Sequence, residues 1–219
     1  MPRILFSKTG DAIWISHLDL MRLFQRAFKR AGLPLKHTQG YNPRPSVSIA
    51  LPLSVGVESV CEFLDFELDG AQVPNEEIMA RLNTALVEGI RVLSVYDDGR
   101  KIKDIAYLYC AVTLEYDCTL PADAAQKIKA LFESQSLLVE KKSKNGTKEQ
   151  DIIPMMHHTV VEQQDAHSIQ IRSVIACQNP SMNPTQIATA VERYLPELKP
   201  DFVKYQRIEI YDANDQNFR

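Results

Sequence analysis

An α+β protein made of two tandem ferredoxin-like (βαββαβ) halves with antiparallel sheets is what this sequence predicts, and three observations predict it. Runs with a two-residue apolar period alternate with runs of helical period in the order β-α-β-β-α-β, and that order occurs twice. A polar stretch, Asp97-Asp98-Gly99-Arg100-Lys101-Ile102-Lys103-Asp104, separates the two occurrences. A chain of 219 residues is long enough for two cores of about 100 residues each. The expected division is residues 1–99, a domain with a basic helix and a proline-rich loop, and residues 105–219, a second domain of the same order.

Residues 3–8 read as a short strand with Ile4 and Phe6 on one face, followed by Thr9-Gly10-Asp11 as a turn and residues 12–15 as a further extended piece. A helix follows. Leu20, Phe24, Ala27 and Ala31 recur at the helical core period, and Ser16 with Asp19 stands in capping-box position. Gly32 ends this helix and Pro34 keeps it ended. Residues 35–38 are expected to be extended. The loop Gln39-Gly40-Tyr41-Asn42-Pro43-Arg44-Pro45 is barred from a sheet interior by its two prolines. Val47, Ile49 and Leu51 then alternate with polar or small residues, and Leu64, Phe66 and Leu68 alternate with Asp65, Glu67 and Asp69. Asn75 is the expected cap of a second helix, with Ile78, Leu82 and Leu86 inward and Gly89 at its end. Residues 91–96 close the first half as a strand.

The second half begins with a long strand over residues 107–118, with Leu108, Cys110, Val112 and Leu114 on one face. Pro121 opens a helix over 121–134 with Ala125, Ile128, Leu131 and Phe132 inward. Residues 137–142 and 152–161 are strand-like, and between them Asn145-Gly146 is a hairpin turn signal in a lysine-rich segment. Residues 168–176 form another strand. Asn183 caps a helix with Pro184 first and Gln186 third, and Ile187, Ala190, Val191 and Tyr194 face inward. Residues 202–211 close as a strand.

Composition is that of an ordinary globular domain, 45% hydrophobic and 24% charged. Cys61, Cys110, Cys118 and Cys177 stand far apart with no C-x-x-C spacing, which argues for buried free thiols in a reducing cytoplasm rather than zinc or a redox pair. No secretory signal, membrane-length apolar run or lipidation signal is present, so cytoplasmic residence and no membrane contact are expected. The net charge of −3 hides an asymmetry. Residues 1–50 carry eight Lys/Arg and two acids, whereas residues 51–99 carry two Lys/Arg and ten acids. Such a split suggests a basic binding surface, unless the two runs neutralise each other in the fold.

The candidate binding residues follow from that asymmetry. Arg22, Arg26, Lys29 and Arg30 lie opposite the apolar stripe of the first helix, which carries no acid after Asp19. Lys36 and His37 follow it, and Tyr41 and Arg44 stand on the stiff loop, where a ring can stack on a base and a guanidinium can grip phosphate. Lys141, Lys142 and Lys144 add a second basic element. Three basic elements in such a fold point to RNA, although the aromatic signature of the common RNA-recognition module is absent. Ser16, His17 and Asp19 do not make a triad, because residues at those offsets do not converge in a relay. His157 and His158 are adjacent in a strand and point to opposite faces, so no metal site is expected there. No phosphate loop or nucleophile elbow occurs.

Several stretches together resemble the radical-SAM-associated (radical-SAM-linked) family of uncharacterised bacterial proteins in its standalone form. They are Phe6-Ser7-Lys8-Thr9-Gly10, Ser16-His17-Leu18-Asp19-Leu20-Met21-Arg22, Arg30-Ala31-Gly32-Leu33-Pro34, Gln39-Gly40-Tyr41-Asn42-Pro43-Arg44-Pro45, residues 51–59 and residues 146–152. The resemblance covers nearly the whole chain. It implies a partner, a radical SAM protein that would carry an iron–sulfur cluster, SAM and, in cobalamin-binding cases, cobalamin. This chain has no C-x-x-x-C-x-x-C motif and is expected to bind none of these itself.

The expected function is therefore a non-catalytic accessory protein of a radical SAM enzyme that binds tRNA or rRNA through a basic surface. One alternative is a metal-independent ribonuclease or RNA-processing enzyme, with His17 or His37 as acid or base and Tyr41 and Lys36 assisting. A second alternative is a protein–protein adaptor whose basic helix docks on an acidic patch. Oligomeric state is not readable from the sequence.

Overall fold

The computed structural model describes every residue of the chain except Ala71, Lys144, Asn145 and Asn179, together with the side chains of Lys142 and Ser143. The chain is α+β with a mostly antiparallel sheet, and it divides into two units, Met1–Lys103 with Arg219 and Asp104–Phe218.

The first unit runs β1 (Arg3–Lys8), α1 (His17–Arg30), β2 (Val47–Ile49), β3 (Val57–Phe66), α2 (Asn75–Ala85) and β4 (Ile90–Tyr96). Its strands lie in the order β4-β1-β3-β2, every pair antiparallel. One core cluster joins the sheet to both helices through Ile4, Phe6, Leu64 and Phe66 from the strands, Phe24 and Phe28 from α1 and Leu82 from α2. Within it the Phe6 and Phe24 rings meet edge to face at 4.8 Å, and Phe28 lies 5.0 Å from Phe66.

The second unit runs β5 (Ile105–Glu115), α3 (Ala124–Phe132), β6 (Leu138–Ser143), β7 (Gly146–Asp151), β8 (Met156–Asp165), β9 (Ser168–Ala176), α4 (Thr185–Tyr194) and β10 (Phe202–Asp212). Strands β10, β5, β9 and β8 form one antiparallel run, and β6 pairs only with β7. Leu108, Val112, Leu114, Ile128, Ile169, Ile171, Ile187, Val191 and Ile210 are all buried.

Four local expectations are corrected. Residues 10–14 wind into a 3₁₀ turn rather than continuing extended. The reason is Lys8, which is buried and donates its Nζ hydrogens to the carbonyls of Ile13 (3.0 Å) and Ile15 (2.8 Å), pulling the segment around itself. Burial lowers the Lys8 pKa against the pull of Glu62. Asn75 does not cap α2: Pro74 takes that place, and the Asn75 amide turns to Asp97 at 3.1 Å. The basic segment after residue 137 is an inserted two-stranded ribbon of its own, not a turn between the strands of the main sheet. The expected Asn145-Gly146 turn falls on residues of which Asn145 and Lys144 lie outside those described. Finally, Cys118 is exposed, unlike Cys61 and Cys110.

Other expectations hold in detail. The Ser16 hydroxyl accepts the Asp19 amide N–H at 3.2 Å and donates to its carboxylate at 2.7 Å, closing the cap of α1. Asn183 and Gln186 bond reciprocally at the start of α4, with Thr185 N–H on Asn183 Oδ1 and Asn183 N–H on Gln186 Oε1, both at 3.0 Å, while Pro184 takes the cap position expected for Asn183. Burial outweighs the opposing Arg207 charge, and for Cys177 a backbone hydrogen bond as well, pushing the Cys110 thiol up to about 12 and Cys177 to about 11, so neither is a nucleophile near neutral pH.

Candidate functional site

The exposed side of α1 is too wide to be a single surface. At about 100° per residue, Gln25, Lys29, Arg22, Arg26 and Arg30 spread over ~140° of the helix. Neighbouring elements claim the two ends differently. Arg30 reaches toward α2, where its Nη2 donates to the Ala85 carbonyl at 2.6 Å; this carbonyl ends α2, where the helix dipole is negative. Arg22 turns back one turn to Asp19 at 3.0 Å, and both side chains are well exposed. Arg26 and Lys29 make no ion pair among the described residues. With Gln25 they border a groove.

The chain after α1 builds the opposite wall. Gly32 takes a φ of +67°, the left-handed conformation that only glycine adopts without strain, and the chain reverses. Leu33 N–H then returns to the Phe28 carbonyl at 3.0 Å. Residues 35–37 run beside the end of β3 and beyond, with Lys36 N–H on the Glu67 carbonyl at 2.9 Å and Leu35 bridged to Leu68. In such an extended piece alternate side chains point to opposite faces. Lys36 accordingly points to one side, where it pairs with Glu67 at 3.1 Å, and His37 points to the other, into the groove.

The groove holds about 570 Å³. Its apolar part comes from Phe28, Leu33, Pro34, Leu35 and Pro45, and its polar groups are Gln25, Arg26, Lys29 and His37. No acid lines it. Above it the loop is closed at its base, because His37 bridges Pro45, Thr38 N–H donates to the Arg44 carbonyl at 2.8 Å, and Arg44 N–H donates to the Thr38 hydroxyl at 3.0 Å. Residues 39–44 thus stand as a tied loop, with Tyr41 fully exposed and Arg44 exposed.

A larger cavity of the same unit, about 710 Å³, lies on the Lys36 side. Glu67 and Asp97 border it, so its single cation is already answered. Among the described residues no group of three or more His, Cys, Asp or Glu side chains is placed to hold a metal ion. No helix of the described residues is long and apolar enough to cross a membrane.

The structure therefore brings together Arg26, Lys29 and His37, with Tyr41 and Arg44 on the loop that His37 anchors. Arg22, Arg30 and Lys36 are held elsewhere. Lys141, in the second unit, is engaged with Ser181, its Nζ donating to the carbonyl at 2.5 Å and lying 3.1 Å from the hydroxyl. The side chains of Lys142 and Lys144 lie outside those described. His17 opens α1, eight residues before Gln25, or about 12 Å along the axis, and does not converge with His37 as an acid–base pair would. His157 meets the Tyr107 ring edge-on at 5.5 Å, and the β8 register breaks immediately after it. Gln25, Leu33 and Leu35 were not singled out from the sequence. The four-residue step from Gln25 to Lys29, which puts both on one helix face, was the available signal for the first.

Comparison with known proteins gives one family and a distant fold likeness. The sequence model of a family described as "Uncharacterized protein conserved in bacteria (DUF2344)" matches residues 2–184. That description says nothing of radical SAM enzymes. None of the curated proteins matches. Among solved structures, one described as "Crystal Structure of a Cbf5-Nop10-Gar1 Complex" aligns with a TM-score of 0.52 at 10% identity, covering 95% of this chain and 48% of the other. The chain thus spans about half the length of that structure's chain, and the likeness is one of fold. A second, described as "Crystal Structure of an Unknown Protein from Galdieria sulphuraria", covers 94% of this chain and 96% of the other at 13% identity, with a TM-score of 0.25.

Proposed function

The chain belongs to this uncharacterised bacterial family, and we propose that its first unit is an RNA-binding module, non-catalytic in itself. One observation carries the reading: Arg26 and Lys29 have no ion-pair partner among the described residues, and they stand with His37 around an acid-free groove at the foot of a tied loop that holds Tyr41 in solvent. Cations left unanswered by the fold are available to phosphate, and a pre-set aromatic ring stacks on a base at little ordering cost. We read both units as ferredoxin-like, since each places two helices within a β-α-β-β-α-β order, the second with a ribbon inserted. By its sequence resemblance the chain would serve a radical SAM partner, to which the iron–sulfur cluster, SAM and cobalamin would belong.

The test is RNA binding measured against salt concentration. Affinity should fall steeply as salt rises, and Arg26→Glu with Lys29→Glu should weaken binding by ~100-fold while lowering the log–log slope by about one to two units. Binding that this double variant leaves intact removes the groove from the RNA-contacting surface.

A further inference from the structure

We infer that the groove between α1 and residues 33–45 takes an unpaired base of single-stranded RNA, with the neighbouring phosphates on Arg26 and Lys29 and the next base on Tyr41. This rests on the RNA-binding reading and goes beyond it, because phosphate contacts alone do not distinguish a single strand from a duplex.

Three features of the groove favour a base over other occupants. Pro34 and Pro45 give it apolar surface, over a floor of buried Phe28, Leu33 and Leu35, and a heterocycle is a flat apolar body. Its polar groups sit with that apolar lining rather than apart from it, and Gln25 offers a carboxamide that donates and accepts at once, the pattern that matches the edge of a base. A chain of aliphatic carbons would leave that amide unanswered. The charge around the opening is cationic with no acid, which suits the phosphates that flank every base in a strand. The volume of about 570 Å³ lies in the range of small-molecule sites and exceeds what one ring fills, leaving room for the attached sugar.

The loop supplies the second half of the argument. Its base is tied at Thr38 and Arg44 and seated by Ser46 N–H on the Lys36 carbonyl at 2.7 Å. Tyr41 is thereby presented in solvent from an anchored stem, at whose base His37 and Pro45 line the groove. A base paired in a duplex can reach neither place, since its faces are covered by stacked neighbours and its edge by its partner. A strand with free bases can use both.

The experiment compares three labelled ligands on the full chain at one salt concentration: a ten-nucleotide RNA strand, the same strand annealed to its complement, and a strand of equal length lacking all bases. The intact single strand should bind at least tenfold tighter than either of the other two. Gln25→Trp, which fills the groove without removing a cation, should bring the intact strand down to the level of the baseless one. Tyr41→Ala should cost the intact strand about tenfold and the baseless strand nothing. If all three ligands bind alike and Arg26→Glu with Lys29→Glu abolishes binding of each, base capture is wrong and the cationic surface stands. If none of the three binds even at low salt, both readings fall. A soluble acidic helical peptide that binds where the RNA strand does not, and that Gln25→Trp excludes, would make the groove's occupant a protein and overturn the inference. Should Gln25→Trp not fold, the comparison of intact with baseless strand on the unaltered protein decides alone.

Discussion

The connection after the first helix of each unit is where the two units part. In the first, residues 31–46 turn at Gly32, run past β3 and rise into a tied loop, leaving a groove against α1. In the second, residues 138–143 and 146–151 pair as the β6–β7 ribbon, in which Val139 is buried, with Leu137 and Ile152 buried at its base. That ribbon is stapled to α4: Arg193 donates to Glu149 at 2.8 Å and to the Leu138 carbonyl at 3.3 Å, and the Tyr194 hydroxyl donates to the same carbonyl at 3.0 Å. Both connections carry cations in the sequence, Lys36, His37 and Arg44 in the first and a lysine cluster over residues 141–148 in the second. The difference teaches that a cation is available to a ligand only where folding brings no carbonyl or carboxylate within its reach. Lys141 finds Ser181, Arg30 finds Ala85, and Arg26 and Lys29 find nothing comparable.

The largest effect that would break this comparison is on RNA affinity. Arg26→Glu with Lys29→Glu should lose ~100-fold, while Lys141→Ala should stay within about twofold, since its ammonium is already engaged and has no phosphate contact to lose. Fluorescence anisotropy on the same RNA measures both. A larger loss from Lys141→Ala than from the α1 pair would reverse the assignment of the two regions.

A smaller effect concerns the staple. Arg193→Ala removes the bond to Glu149 and one of two bonds to the Leu138 carbonyl. The Arg193 and Glu149 side chains are 43% and 51% exposed, so solvent already weakens the pair. The expected effect is a small loss of local stability, seen as faster amide exchange in β6 and β7. Exchange at residues 38–44 should not change. Were the ribbon unaffected, its placement would rest on its buried apolar residues alone.

The sequence made the helices and their caps readable because those signals are local. Ser16 with Asp19 and Asn183 with Gln186 each close within three residues, and the Leu20-Phe24-Ala27 stripe is buried as its period requires. What was not readable depended on partners distant in the chain. Lys8 looked like the polar end of a strand and is a buried anchor for two carbonyls. Lys36 and His37 looked like one basic patch, and the two-residue period of extended chain sends them to opposite faces, one to Glu67 and one to the groove. The expectation that the acidic run of residues 51–99 could neutralise the basic first fifty is met in part, by Arg3 on Asp65 at 2.6 Å and Lys36 on Glu67. Which cations stay unanswered is a tertiary property, and no window of sequence contains it.

The smallest predicted effect sharpens the contrast between an aromatic left in solvent and one held by the fold. Tyr41 is fully exposed, whereas Tyr116 of the second unit is half-buried and donates its hydroxyl to the Leu198 carbonyl at 2.9 Å. Burial, with the Asp201 carboxylate adding to it, pushes the Tyr116 phenol up to about 12 from an ordinary value of 10. A group whose pKa is raised by folding contributes stability that is fully present below the unfolded value and lost as pH climbs to the folded one. The contribution of Tyr116 should therefore be intact below pH 10 and decline between pH 10 and about 12. Tyr116→Phe should cost about 0.5–1 kcal/mol near neutral pH, because the Leu198 carbonyl loses its donor. The same variant should flatten the decline above pH 10, and the phenolate absorbance that develops last in the unaltered protein should disappear. Denaturant midpoints measured at pH 8 and pH 11 for both proteins give the comparison. A Tyr116→Phe protein that loses as much stability between those two values as the unaltered one would mean that this hydroxyl is not what ties the end of β5 to Leu198.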